Sequence, residues 1–143
     1  MKTKFSQIVK LKQRKVDEIE NEMLDVRNKK KDIIVNIEDL MKELKEINTP
    51  NSGAFSEINI ANMHLKNLSN QKKSFEEEIV LLNRQIEGLK ELHKEANIDF
   101  EKIKYLDNEE IKKILQEKKV EENKNMDEIA NLLFSRKQRD AEV

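Results

Sequence analysis

Stepping alternately four and three residues from Phe5 meets Val9, Lys12, Val16, Ile19, Met23, Val26, Lys30, Ile33, Ile37, Leu40, Leu44 and Ile47. Two lysines are the only interruptions in an apolar series that holds for about six heptads. This pattern constrains the chain more than any other feature. A period of 3.5 residues drifts around a straight helix of 3.6, so the stripe stays on one side only if the helix winds left-handedly around a partner.

The partner is in the same sequence. The segment Asn48-Thr49-Pro50-Asn51-Ser52-Gly53 gathers the sole proline and one of the two glycines, and a helix should stop there. Beyond it the stepping resumes at Ile58 and continues through Ala61, Leu65, Leu68, Lys72, Phe75, Ile79, Leu82, Ile86, Leu89, His93, Ala96, Phe100 and Ile103. Folding the second helix back on the first buries both stripes along about 65 Å at 1.5 Å per residue. A parallel dimer of extended chains would bury the same seams, but the turn lies where a hairpin needs it. The expected fold is therefore all-α: a single coiled-coil domain over 1–143, a long antiparallel two-helix hairpin. Helix one covers about 3–48, the turn about 49–55 and helix two about 56–138, with a possible irregularity near 105–110.

Composition supports a rod over a globule. One tyrosine, five phenylalanines and no tryptophan among 143 residues are too few large side chains for a broad core. Charged residues make up 40% of the chain, which would suit disorder if the apolar residues were not periodic. The 28 Lys+Arg and 29 Asp+Glu are interleaved and nearly cancel, so neither a nucleic acid nor a membrane surface is an expected partner. Lys29-Lys30-Lys31 is too short to alter that. The absence of cysteine excludes a disulfide framework and suits a reducing cytoplasm. No apolar stretch approaches the roughly 20 residues of a membrane span, so no direct membrane insertion is expected. The opening Met1-Lys2-Thr3-Lys4-Phe5-Ser6-Gln7 has no secretory apolar region, so the chain reads as mature and intracellular.

If residues near Phe5 lie opposite residues near Phe100, the second helix overhangs beyond about Ile103. The pattern also changes there: Leu106 is followed by Ile111, Ile114 and Leu115. Asp107-Asn108-Glu109-Glu110 reads either as a solvated turn of a continuous helix, the favoured alternative, or as a break with a fresh N-cap. A further apolar group, Met126, Ile129, Leu132, Leu133 and Phe134, falls in the overhang. It is either a docking surface or a face that packs on another copy or on the first few residues.

Nothing in the chain suggests catalysis, a cofactor or a metal. His64 and His93 are too far apart for a helical metal pair, and calcium-loop, phosphate-loop and nucleophile-elbow signatures are missing. His93 occupies a seam position as a tolerated polar residue. Lys12, Lys30 and Lys72 do the same, setting register or extending their stems to water. Carboxylates on a thin rod stay solvated, without the shifted pKa of acid–base chemistry, and a rod offers no concave pocket.

The run Glu121-Glu122-Asn123-Lys124-Asn125-Met126-Asp127-Glu128-Ile129-Ala130, followed by Arg136-Lys137-Gln138-Arg139, resembles the tail of the flagellar export protein family FliJ. The opening Phe5-Ser6-Gln7-Ile8-Val9-Lys10-Leu11-Lys12, running into Lys15-Val16-Asp17-Glu18, is similar too, as are the length and the two-helix layout. The resemblance implies a non-enzymatic cytoplasmic component of the bacterial flagellar type III export apparatus, peripherally associated with the flagellar base at the inner membrane. Its coiled coil would resemble the central stalk of rotary ATPases, coupling the export ATPase ring to the cytoplasmic domain of the export gate. Handling of export chaperones is a further implied role.

Carried over by position, the resemblance implies ATPase contact at Met126, Asp127, Glu128, Ile129 and Arg136, and export-gate contact at Leu40, Ile47, Leu65 and Leu68. Relatives carry aromatic residues near the turn where this chain has Glu43, Ile47, Asn62 and Leu65. The four gate candidates also lie on the seam, where holding the hairpin together would occupy them. A second helix about twice the length of the first would favour a stalk, and equal helices would weaken it. The alternative is a structural or adaptor coiled coil, or a hairpin chaperone, with unrelated partners. For a tentacle-type chaperone the residues from Asn48 to Glu57 are too few and too polar to supply the assembly strands.

Overall fold

The computed structural model describes residues 2–47 and 54–142. The segment 48–53, with most of the expected turn, lies outside the described residues. Two helices account for nearly everything else: α1, Ser6–Glu46, with 41 residues, and α2, Phe55–Glu142, with 88. Among the described residues there is no strand, and the two helices pack along each other as an all-α hairpin.

Local chemistry sets the helix starts. Thr3 caps α1: the Phe5 amide donates to its Oγ1 at 3.1 Å and the Ser6 amide to its carbonyl at 3.2 Å. The Thr3 amide in turn donates to Ser6 Oγ at 2.8 Å, so orphan donors on both sides of the cap are satisfied. At the head of α2 the Ala54 carbonyl accepts from the amides of Glu57 and Ile58. Glu57 in that first turn, with Lys45 and Arg139 in the last turns of α1 and α2, places charge in the sense the helix dipole favours.

The chain divides into two compact units, Arg14–Asn97 and a second made of the residues up to Gln13 with those from Ile98 onward. Within Arg14–Asn97 the helices are antiparallel: Glu20 meets His93, Lys30 and Arg27 line one groove with Asn83 and Lys90, and Ile33 lines another with Leu82. Every described residue of this unit that is not exposed stands on the four-three series, and every described position of the series is buried or half-buried. Val16, Ile19, Val26 and Leu40 are buried from α1, and Leu68, Ile86, Leu89 and Ala96 from α2. The core is one side chain thick, so even these keep 4–8% of their surface in contact with solvent. Off-register residues have nothing above them.

The second unit continues the series on both helices. Phe5, just before α1, and Val9 and Lys12 of α1 are half-buried, as are Phe100, Ile103, Asp107, Glu110 and Ile114 of α2, with Ile111 half-buried beside the series. Residues 105–110, where the sequence left a break open, are regular helix. The apparent change of pattern at Leu106 comes from polar residues taking the seam: Leu106 is exposed, while Asp107 is half-buried and accepts a hydrogen bond from the Thr3 hydroxyl. Lys4 lies over the Phe5 ring and Lys104 over the Phe100 ring, 5.3 and 5.6 Å from the centroids, so lysine stems shield the aromatic members of the seam. After Ile114 burial ends, and every residue from Leu115 to Ala141 is exposed.

Candidate functional site

A protein that acts by binding needs side chains that folding leaves free. Continuing the four-three series beyond Ile114 gives Glu117, Glu121, Lys124, Glu128, Asn131, Ser135 and Gln138, none of them apolar. The seam therefore ends in the sequence as well as in the fold. Met126, Ile129 and Leu133 begin a new strip at spacings of three and four, together with Leu115 one heptad and four residues upstream. At about 100° per residue this strip lies roughly a quarter turn around α2 from Asp107, Glu110 and Ile114. Met126 is 68% exposed and Ile129 57%, with Leu132, Leu133 and Phe134 similarly open. Ile129, Leu132 and Leu133 join Ser135, Arg136 and Arg139 in lining a shallow surface depression. Asp127, Glu128 and Arg136 are exposed beside them.

This gathers the five residues assigned to ATPase contact on one open stretch of helix. Two apolar side chains provide area, Asp127 and Glu128 provide negative charge, and Arg136 with Arg139 borders the apolar depression with positive charge. An interface of this kind takes its energy from the apolar anchors and its selectivity from the surrounding charges.

The residues assigned to the export gate are placed differently. Leu40 and Leu68 are buried, and Ile47 and Leu65 are half-buried. Their side chains are occupied by the seam, so a partner touching Leu40 or Leu68 would have to part the helices. In the same stretch of sequence the open apolar side chains are Met41, Phe55, Ile60 and Met63. Ile60 and Met63 are 66% and 63% exposed and stand three apart on one face of α2. The signal that identifies them is their position off the series: an apolar residue that the seam does not use.

The polar members of the seam are accommodated without a binding site. His93, half-buried, has its Nε2 3.0 Å from Glu20 Oε1 across the two helices. Lys72 reaches Glu76 one turn away at 3.8 Å, and Lys12 and Lys30 are half-buried. His64 is exposed. Among the described residues no group of three or more His, Cys, Asp or Glu could hold a metal ion, and no buried side-chain polar atom lacks a partner. None of the helices, over the described residues, is long and apolar enough to cross a membrane.

No curated protein and no solved structure matches the chain significantly. The family described as Flagellar FliJ protein matches residues 1–139, which takes in both helices and the exposed strip. With that extent of match, the chain belongs to the FliJ family and is a component of the flagellar protein export apparatus.

Proposed function

We propose that this protein is a stalk-like rod on the cytoplasmic side of the flagellar base, linking the export ATPase ring to the export gate and handling export chaperones. The observation that carries the reading is the open strip of Met126, Ile129 and Leu133, set in the family-matched part of α2 and free of any seam duty. The unequal helices, 88 residues against 41, also favour a stalk, because one helix must continue where the other no longer accompanies it.

The ATPase contact is assigned to Met126, Asp127, Glu128 and Ile129, with Arg136 contributing charge. The gate contact is assigned to the stretch around Leu40, Ile47, Leu65 and Leu68. These four hold the helices in place, and Ile60 and Met63 supply the surface a partner can reach. Coupling requires no chemistry on this chain. A rod whose two contacts each favour one state of their partner links those states through the sum of the binding free energies.

The test is ATP hydrolysis and ring assembly by the export ATPase of the same organism, with and without stoichiometric amounts of the chain. Faster turnover with more assembled ring is expected. Unchanged turnover together with no detectable binding would remove the stalk reading and leave an adaptor with other partners.

A further inference from the structure

The charges of the chain nearly cancel in sum, but the fold sorts them. Lys29, Lys30 and Lys31 are neighbours in sequence, yet Lys29 lines a groove on one side of the hairpin with Asp32 and Glu78, while Lys30 and Lys31 line another. There they join Arg27 of the same helix and Lys90 of α2 around a groove of about 400 Å³ within the unit Arg14–Asn97. Asn83 adds an amide, and Ile34 and Ile86 form the apolar part of the lining. Four cations from two helices thus meet one carboxylate, Glu87.

The carboxylates that could neutralise these cations are engaged, distant or turned away. Glu87 accepts from Lys90 at 3.2 Å. On the same side of α1, Glu20 stands one heptad before Arg27 and is held by His93 at 3.0 Å, and Glu38 stands one heptad after Lys31, about 10 Å along the helix. Glu76 of α2 is one heptad before Asn83 and pairs with Lys72. At about 100° per residue, Asp25 and Asp32 fall on the other side of α1 and Glu91 on the back of α2. Lys94, one turn beyond Lys90, adds to the positive field. Among the described residues Arg27, Lys30 and Lys31 make no ion pair. Lys30 needs no ligand to keep its place in the seam, but its charge is left without a partner.

We infer that this groove binds an oligophosphate, a chain of linked phosphoryl groups, either free or as the triphosphate of a nucleotide. The Arg27 guanidinium offers a planar fork that matches phosphate oxygens, and the three ammonium groups act as point charges around it. The Asn83 amide can donate as well. Ile34 and Ile86 keep water from part of the lining, and a lower local dielectric strengthens the attraction. An acidic peptide carries one charge per side chain and must order its backbone to bring several into so short a groove, whereas linked phosphates arrive with their charges already assembled. The cations come from both helices, so a bound anion ties α1 to α2 and stabilises the folded hairpin over the open chain. The site does not depend on the ATPase reading.

Titration calorimetry of the full chain with inorganic tripolyphosphate, at low salt and without divalent cations, tests the proposal. Saturable binding of one tripolyphosphate per chain is expected, weakening as salt is raised and accompanied by a rise in melting temperature. Arg27→Gln with Lys31→Gln should weaken it by roughly tenfold or more. Lys66→Gln with Lys73→Gln removes the same charge from positions of α2 outside the groove and should leave the affinity within about twofold of wild type. Circular dichroism should stay at the wild-type level in both variants, since all four residues are exposed. Equal affinities for ATP and tripolyphosphate would support a bare phosphate chain as the ligand, and tighter binding of ATP a nucleotide. Absence of saturable binding would overturn the proposal. So would equal losses in the two variants, or a hexaglutamate peptide that binds more tightly than tripolyphosphate.

Discussion

The stretch Arg14–Asn97 and the stretch from Leu115 to Ala141 belong to chains of helix with similar polarity, yet apolar residues serve opposite ends in them. In the first, the apolar series and the buried positions coincide, and the apolar residues outside the series, such as Leu24, Val80 and Leu81, do not form a second seam. In the second, the series has turned polar while Met126, Ile129 and Leu133 form a strip of their own with nothing over it. Hydrophobicity alone does not separate covered from open apolar residues on these helices. Register does. An apolar residue on the seam's register is covered by the facing helix, and the strip of Met126, Ile129 and Leu133, on a register of its own, stays open.

Substitutions that confuse the two roles should break this contrast, beginning with those that place a charge in the seam. Val26→Asp buries an unpaired carboxylate against the facing helix and should cost at least about 3 kcal/mol, seen as a large fall in the urea midpoint followed by circular dichroism. If the midpoint stays near wild type, the seam around Val26 is not packed as described. Leu68→Ala removes a side chain that is 4% exposed, and a loss of about 2–4 kcal/mol is expected by the same measurement.

Smaller effects sharpen the picture. Thr3→Ala removes the Oγ1 that accepts from the Phe5 amide and the hydroxyl that donates to Asp107, and should lower stability by about 1 kcal/mol. Amide exchange should accelerate first at residues 5–9, around the start of α1. Gly88 lies inside α2 with no atom within 4 Å of an added Cβ, so Gly88→Ala should raise stability by roughly 0.5–1 kcal/mol through helix propensity alone. A drop in melting temperature instead would mean that something covers this face.

The smallest effect on stability should accompany the largest effect on binding. Met126→Asp with Ile129→Asp alters exposed positions and should leave the urea midpoint within about 0.5 kcal/mol of wild type. Binding to the export ATPase should fall sharply in the same variant. Loss of helicity there would make the tail structural and erase the distinction between the two regions.

Much of the seam can be read directly from residue spacing, because a helix brings residues three and four apart together wherever it forms. His93 and Lys30 are placed on it by counting, although neither is apolar. Counting by residue type rather than by position fails at Leu106: the sequence suggested a change of pattern there because Asp107 and Glu110 are not hydrophobic. Continuing the step from Ile103 would have reached both. The carboxylate of Asp107 is tolerable in a half-buried place because the Thr3 hydroxyl donates to it, and no local pattern relates residues 3 and 107. The gate candidates do not share this limit. Leu40, Ile47, Leu65 and Leu68, named through the family resemblance, fall on the seam by counting alone, and they are buried or half-buried as that position requires, while Ile60 and Met63, off the series, remain open.

Residue spacing marked two amphipathic helices and an apolar stripe as far as Ile103, since periodicity is a property of the chain's own geometry; the folded chain carries that stripe on through Asp107 and Glu110 to Ile114. The folded structure added how far the seam runs and which distant residues meet across it, Glu20 with His93 and Thr3 with Asp107. Exposure depends on what the opposite helix covers, and residues far apart in sequence settle that together.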